Sequence, residues 1–366
     1  MLFDFFPSAT LNWYLARTFA VRILAVLAML VLVLLMLDLL GETGEILAVP
    51  GNGEPDLLRY AGLRVPQIIA RFLPYSVLLA TIITLAALNQ NSEVVAMKAA
   101  GLSAHQILAP LILTATVIAA VSFTFNERVV TRATAHLTAW QAVDYAAIEV
   151  TPGLRTNVYF NDGNDVLMAE RLSGTGAATV LDQVTFYERD GNGMIARQIH
   201  AQRATYAAPG WRLEGARSFN VATAQGNILD GTPVVAEGVT LGQIGLRSVD
   251  ADAEPLRELS ASIDALESAG RRTNELEAKW WHKISGPLAT VLMPLLGGVA
   301  GFGLARSGQL LARAVIGMSL GFAYFVVDNA ALAMASFGGY PPLLAAWAPF
   351  FLFLMVGETV LVRTEE

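Results

Sequence analysis

The chain of 366 residues contains no cysteine, which excludes disulfide staples, thiolate metal sites, a cysteine nucleophile and cysteine redox chemistry. Lysine is confined to Lys98, Lys279 and Lys283. None of the three follows a glycine-rich loop and no G-x-x-x-x-G-K-S/T run occurs, so the chain cannot cradle ATP phosphates by itself. Histidine is nearly as sparse: His105, His136, His200 and His282 form neither H-E-x-x-H nor a recognisable zinc spacing, and read as ordinary surface or interface residues. Charged residues make up only 15% of the chain and sum to −7. A nucleic-acid binder needs clustered Lys and Arg for its phosphate contacts, so that class is excluded too.

What fills the chain instead is apolar: 54% hydrophobic residues and a mean hydropathy of +0.51, outside the usual range of water-soluble domains. Crossing about 30 Å of hydrocarbon takes roughly 20 residues of helix, with every backbone group bonded inside the segment. Six stretches qualify: Ile23–Leu37 (extended by Leu39 and Leu40), Phe72–Leu88, Ile107–Phe125, Ile284–Leu304, Ala314–Phe337 and Leu343–Val362. Residues 126–278 lie between the third and fourth, and their 13 arginines against 20 acidic residues carry all of the net charge. The order is therefore an N-terminal membrane half (1–125), a polar insert (126–278) and a C-terminal membrane half (279–366).

Short loops decide orientation through their Lys and Arg. With the N-terminus in the cytoplasm, the cytoplasmic pieces hold Arg17, Arg22, Lys98, Arg306, Arg313 and Arg363, and the opposite pieces hold Arg59 and Arg64. Both termini are thus expected inside and the insert outside. Trp280, Trp281 and His282 suit the membrane interface, where amphipathic rings settle. The insert itself reads as β structure. Val158–Phe160 and Val166–Met168 flank Asn161-Asp162-Gly163-Asn164, Thr185–Tyr187 and Ile195–His200 flank Asp190-Gly191-Asn192-Gly193, and Thr205–Ala207 and Trp211–Leu213 flank Pro209-Gly210. Short strands with such turns favour a sandwich or jelly roll. Residues 255–278, charged and poor in glycine, are expected to return to the membrane as a helix.

Two aspartates, Asp38 and Asp328, fall in or beside apolar stretches, where an unpaired carboxylate costs about 2.5–3.5 kcal/mol. They could form an intramembrane aspartyl protease dyad, yet Leu37-Asp38-Leu39 and Val327-Asp328-Asn329 lack the glycine-flanked context of that class. The other expectation is that Asp328 bonds within the bundle and Asp38 lies at its outer boundary. Between the second and third stretches, Ser92 can cap a short helix with Glu93 at its N-terminal end, Val94, Val95, Met97 and Leu102 can give it an apolar face, and Gly101 can end it. An amphipathic helix at about 92–103 could seat in the groove of a motor domain, or simply lie at the interface.

The run Ser92-Glu93-Val94-Val95-Ala96-Met97-Lys98-Ala99-Ala100-Gly101-Leu102-Ser103 resembles the coupling segment of the LptF/LptG permeases of lipopolysaccharide export. Val327-Asp328-Asn329, Gly339-Tyr340-Pro341-Pro342-Leu343-Leu344 and the hairpin Asp162–Arg171 resemble the same family, and the Pro-Pro motif and the Asp328 context resemble its G-type paralogue more closely. The order of three helices, β domain and three helices matches over the whole chain. A permease of another system with a similar insert, such as lipoprotein release, is opposed only by these motifs.

The resemblance implies an α-helical membrane protein of six transmembrane helices, arranged 3+3 around an inserted all-β, jelly-roll-like periplasmic domain, in a Gram-negative inner membrane. It implies an LptF-type second permease, a cytoplasmic LptB-type ATPase dimer that holds the ATP and Mg, and an LptC/LptA-type bridge; this chain would bind no cofactor. The cargo would be lipopolysaccharide or a related glycolipid, handled among membrane lipids. Glu93 would enter the ATPase groove with Met97, Gly101 and Leu102 beside it, and Leu34, Leu35, Phe322 and Phe325 would line the lipid path through the first and fifth helices. Each CH₂ exposed to water costs about 0.8 kcal/mol, so such a path has to stay apolar. Where relatives tend to carry lysines for sugar phosphates, this chain has Asp38, Glu42 and Glu45. Arg59, Arg64, Arg128 and Arg132 are then the candidates for headgroup contact, and the cargo is expected to be less phosphorylated.

Overall fold

The computed structural model describes residues 6, 8–146, 155–174, 178–191, 193–221, 223–229, 231–240, 249–268, 271–301 and 309–365. They form two compact units: residues 1–146 with 250–366, and residues 147–249.

The first unit is helical. Helix α1 (Ala9–Ala48) starts where the Ser8 side chain accepts from the Leu11 amide, and runs 40 residues. At 1.5 Å per residue that is about 60 Å, twice a hydrocarbon core. It runs past the apolar stretch that stops at Leu40 and passes through Gly41 and Gly44, each costing about 1 kcal/mol in helix propensity. The extension holds because Ile46 is buried against Tyr60, Leu137, Trp140 and Tyr145. Helix α2 (Glu54–Gln90) has Asp56 bonding the Gly53 amide at its start and prolines 66 and 74 inside. A short helix α3 (Glu93–Ala99) leads to α4 (Ala104–Phe125), which opens on a Ser103/Gln106 capping box. A π-helical turn, Asn126–Val130, joins α4 to α5 (Thr131–Gln141). After the insert come α6 (Leu256–Ser268), α7 (Asn274–Gly301), α8 (Gln309–Ser336) and α9 (Pro342–Glu365).

Five helical spans among the described residues are long and apolar enough to cross a membrane: Ala9–Ala48, Glu54–Gln90, Ala104–Gln141, Ala314–Ser336 and Pro342–Val362. The sixth predicted stretch, Ile284–Leu304, falls on α7, and its last three residues lie outside the described ones. Helices α2 and α7 form the middle of the bundle, packing on each other and between them on α1, α4, α8 and α9. Small residues permit the close approach. A Cβ at Gly297 would stand 2.9 Å from Thr81 Cγ2, and one at Gly357 would stand 2.8 Å from Leu295.

The connectors of the insert belong to this unit, since α5 packs on α2 and α6 packs on α7. Glu127, in the π-helical turn, accepts from the Leu256 amide at 2.7 Å and stands 3.8 Å from Lys283 Nζ, so one carboxylate joins the outgoing connector, the returning one and α7.

The second unit is one antiparallel sheet, in the order β1 (Arg155–Asp162), β2 (Asp165–Ser173), β3 (Val180–Arg189), β4 (Ile195–Ala207), β5 (Gly210–Glu214) and β8 (Val234–Val235). Strands β6 (Arg217–Asn220) and β7 (Gln225–Ile228) branch from β4. The predicted hairpins are present, with Gly163 and Gly193 at positive φ in their turns. The sheet does not keep one inner face. Leu167 and Ala169 point inward on β2, then Leu172; on β3 Leu181, then Val184 and Phe186; on β4 Ile199 and Ala201, then Ala204. In each strand two successive residues skip the core, and the register puts Arg171, Asp182 and Arg203 side by side in that row. Gln183, the next residue along β3, has φ of 52°.

A period-2 pattern that slips in neighbouring strands at one row creases the sheet. On one side of the crease β4 pairs with β6, and on the other with β5. Both wings share a single core that includes Trp211, whose indole N–H donates to the Val239 carbonyl at 2.8 Å. Where the sequence favours a sandwich or jelly roll, the described strands of the insert thus form one folded antiparallel sheet.

Candidate functional site

Asn91 ends α2, and Ser92, at φ 58°, turns the chain into α3. Its side chain makes no cap bond, contrary to expectation, because the left-handed backbone makes the turn instead. The exit is a Schellman motif: Gly101 N–H donates to Lys98 O and Leu102 N–H to Met97 O, with Gly101 at φ 89°. Gly101 is required there for conformation, since a Cβ would meet nothing within 4 Å.

The burial pattern sorts the predicted coupling residues. Val94 and Met97 are buried in the same core as Leu15 and Phe19, with Leu102 packed against it. Met97 therefore seats α3 on its own chain, on the same short helix that carries Glu93. Val95, grouped with the apolar face in the sequence, is 57% exposed. Glu93 is half-buried, and its carboxylate accepts from the Tyr14 hydroxyl at 3.1 Å and from Asn91 Nδ2 at 3.3 Å.

At the far end of α1 a polar cluster faces α2 and α5. Asp38 accepts a forked pair from Arg64, Nε at 2.9 Å and a terminal nitrogen at 2.8 Å, and a bond from the Tyr60 hydroxyl at 2.7 Å. Arg59 lies over the Trp140 ring at 4.5 Å. The Tyr145 hydroxyl donates to Glu42, and its burial, reinforced by that carboxylate, pushes its pKa up to about 12. Arg64 is thus engaged by Asp38 and Arg59 by an aromatic face, while Arg128 and Arg132 are exposed.

The predicted lipid-path residues divide in the same way. Leu34 and Leu35 are half-buried, Phe322 is 64% exposed, and Phe325 stacks on Tyr75 with ring centroids 3.8 Å apart. Helices α1 and α8 carry these residues, and α2 packs against both. In the most apolar window of α1 only 6% of residues are buried, against 56% for α2.

Asp328 does bond within the bundle, but its partner is His282 on α7, with Nε2 and Oδ2 2.9 Å apart, while Asn329 donates to the Phe325 carbonyl. The histidine reading missed that pairing, which spans 46 residues of sequence. Asp38 and Asp328 have separate partners, and nothing in this geometry favours the shared proton of a protease dyad. Gly317-Met318-Ser319-Leu320-Gly321 spells the G-x-S-x-G pattern of serine hydrolases but lies inside α8, without the strand-to-helix turn a nucleophile elbow requires. No cluster of metal-ligating side chains exists among the described residues.

Comparison with known proteins covers nearly the whole chain. Residues 13–363 match the family model described as lipopolysaccharide export system permease LptF/LptG. Lipopolysaccharide export system permease protein LptG of Escherichia coli (strain K12) is 25% identical over 370 residues, covering 98% of this chain and 99% of that protein. The LptG protein of Haemophilus influenzae is 26% identical over 327 residues, covering 86% and 89%. A helical membrane bundle with an inserted β domain, a family match from the first helix to the last, and relatives of nearly equal length lead to one conclusion: the chain belongs to the LptF/LptG family and is a permease subunit of lipopolysaccharide export, a multi-pass protein of the inner membrane.

Proposed function

We propose that the chain pairs with an LptF-type permease, takes mechanical work through Glu93 from a cytoplasmic LptB-type ATPase that holds the ATP and Mg, and passes lipopolysaccharide to an LptC/LptA-type bridge. Both termini face the cytoplasm and the β unit the periplasm, as the distribution of Arg and Lys favours. The observation that carries the coupling role is the setting of Glu93: a carboxylate on a turn whose other face is anchored in the bundle, so a force applied to it reaches the core rather than bending a loop. The nearly uncovered α1 supports a second permease beside it. Removing Glu93 is the test. In Glu93→Ala, co-purification of the ATPase with the full-length chain is expected to fall at least about tenfold, the loss of a charge-assisted contact. Undiminished co-purification refutes the coupling role.

The headgroup assignment follows from which arginines are occupied. Arg128 and Arg132 remain the readiest phosphate contacts, and the acidic end of α1 disfavours a heavily phosphorylated headgroup. Phosphate-free glycolipid is therefore expected to stimulate ATP hydrolysis by the assembled transporter about as well as the phosphorylated form. A strict phosphate requirement contradicts this cargo reading.

A further inference from the structure

The geometry points to Tyr14 as the positioning residue for the coupling glutamate: it fixes the Glu93 carboxylate in one orientation and ties α1 directly to the turn that the ATPase grips. This rests on the coupling role proposed for Glu93 above.

Tyr14 and Glu93 are 79 residues apart in sequence, yet the Tyr14 hydroxyl lies 3.1 Å from Oε2 and 3.4 Å from Oε1. Asn91 Nδ2 reaches Oε1 at 3.3 Å from the other side. A carboxylate has about four acceptor positions, so both donors can be held while the remaining lone pairs are offered to a cation on a partner. An unrestrained glutamate loses side-chain freedom on docking, and a tyrosine with only two rotatable angles removes that loss beforehand.

The hydroxyl is also the polar edge of an apolar contact. Leu15, the residue after Tyr14, and Phe19, on the following turn of α1, are buried in the same cluster as Val94 and Met97 of α3. Helix α1 then continues to Ala48 with no internal proline, whereas α2 carries two. A displacement of α3 therefore reaches α1 through packing and through a directed hydrogen bond, and α1 has the smallest buried share of the five apolar spans among the described residues.

The test is a double-mutant cycle on the full-length chain in lipid nanodiscs, with the purified ATPase subunit of the same exporter as the probe and its dissociation constant as the readout. Tyr14→Phe keeps the ring and its packing and removes only the hydroxyl. It is expected to weaken ATPase binding about 3- to 10-fold in the otherwise native chain and to add nothing in a Glu93→Ala background. A purely structural tyrosine, or one that touches the ATPase itself, weakens binding equally in both backgrounds, and that result overturns the proposal. So does Tyr14→Phe with native affinity. If Glu93→Ala alone binds normally, the coupling reading fails and the positioning role falls with it. If Glu93→Ala weakens binding and Tyr14→Phe does not, only the positioning role is lost.

Discussion

Trp211→Ala is expected to destabilise the β unit by about 3–5 kcal/mol, the range for emptying a large aromatic site in a well-packed core. Trp211 is fully buried on β5, stands edge-on to Tyr206 with centroids 5.4 Å apart, and donates its indole N–H to the Val239 carbonyl. Truncation opens a cavity between the wings and strips a buried acceptor of its donor, two penalties that add. Trp211→Phe keeps most of the apolar volume and is expected to lose only about 1–2 kcal/mol, mainly for the unsatisfied carbonyl. Protease protection of peptides from residues 155–240, followed against temperature in the full-length protein, measures both. Similar losses for the two variants show that the hydrogen bond and not the volume dominates.

The second large effect is expected at the connector junction. Glu127→Ala removes the acceptor of the Leu256 amide and the acidic neighbour of Lys283, which is only 8% exposed. Truncating one partner of a buried ion pair costs about 3–5 kcal/mol because the other charge is left without compensation. The 3.8 Å separation puts this pair at the lower end, about 3 kcal/mol. Glu127→Ala combined with Lys283→Met should recover more than half of the loss, since the apolar replacement no longer needs a counter-charge. Thermal unfolding in detergent reads both, and a double variant no better than Glu127→Ala assigns the effect to the Leu256 cap instead.

The same lysine sets a pH dependence. Burial pushes the Lys283 ammonium below its ordinary value of 10.5, with Glu127 pulling it partly back. Between the depressed folded value and 10.5 the unfolded chain binds more protons than the folded one, so stability rises with pH across that alkaline interval. Glu127→Ala widens the interval, and Lys283→Met abolishes this contribution.

Local chemistry made the hairpins and apolar spans legible. Asp162-Gly163 and Asn192-Gly193 specify turns within a few residues, and an uncharged run such as Ile107–Phe125 needs no partner to declare itself. Helix lengths were less legible, because the apolar stretch of α1 stops at Leu40 while the helix runs on to Ala48, where Ile46 finds Tyr60 and Trp140. On α3 the sequence identified the glycine exit but not which apolar residue faces in, since Val94, Val95 and Met97 differ only in where α1 lies. The polar pairings were out of reach altogether: Asp38 with Arg64, His282 with Asp328 and Tyr14 with Glu93 are each brought together by helices crossing, at separations of 26, 46 and 79 residues. The crease was different. Its doubled outward positions at 170–171, 182–183 and 202–203 stand in the sequence, hidden only until the register aligns them.

That alignment constrains how this domain can change over evolutionary time. A residue gained or lost within β3 alone would carry Leu181 or Phe186 from the oily side to the wet one, while β2 and β4 kept their places. Length changes among homologues should therefore gather in the turns around Gly163 and Gly193. Any that fall within the strands should be matched in neighbouring strands at the same height, as a fold pressed into a stack of pages moves in every sheet or in none.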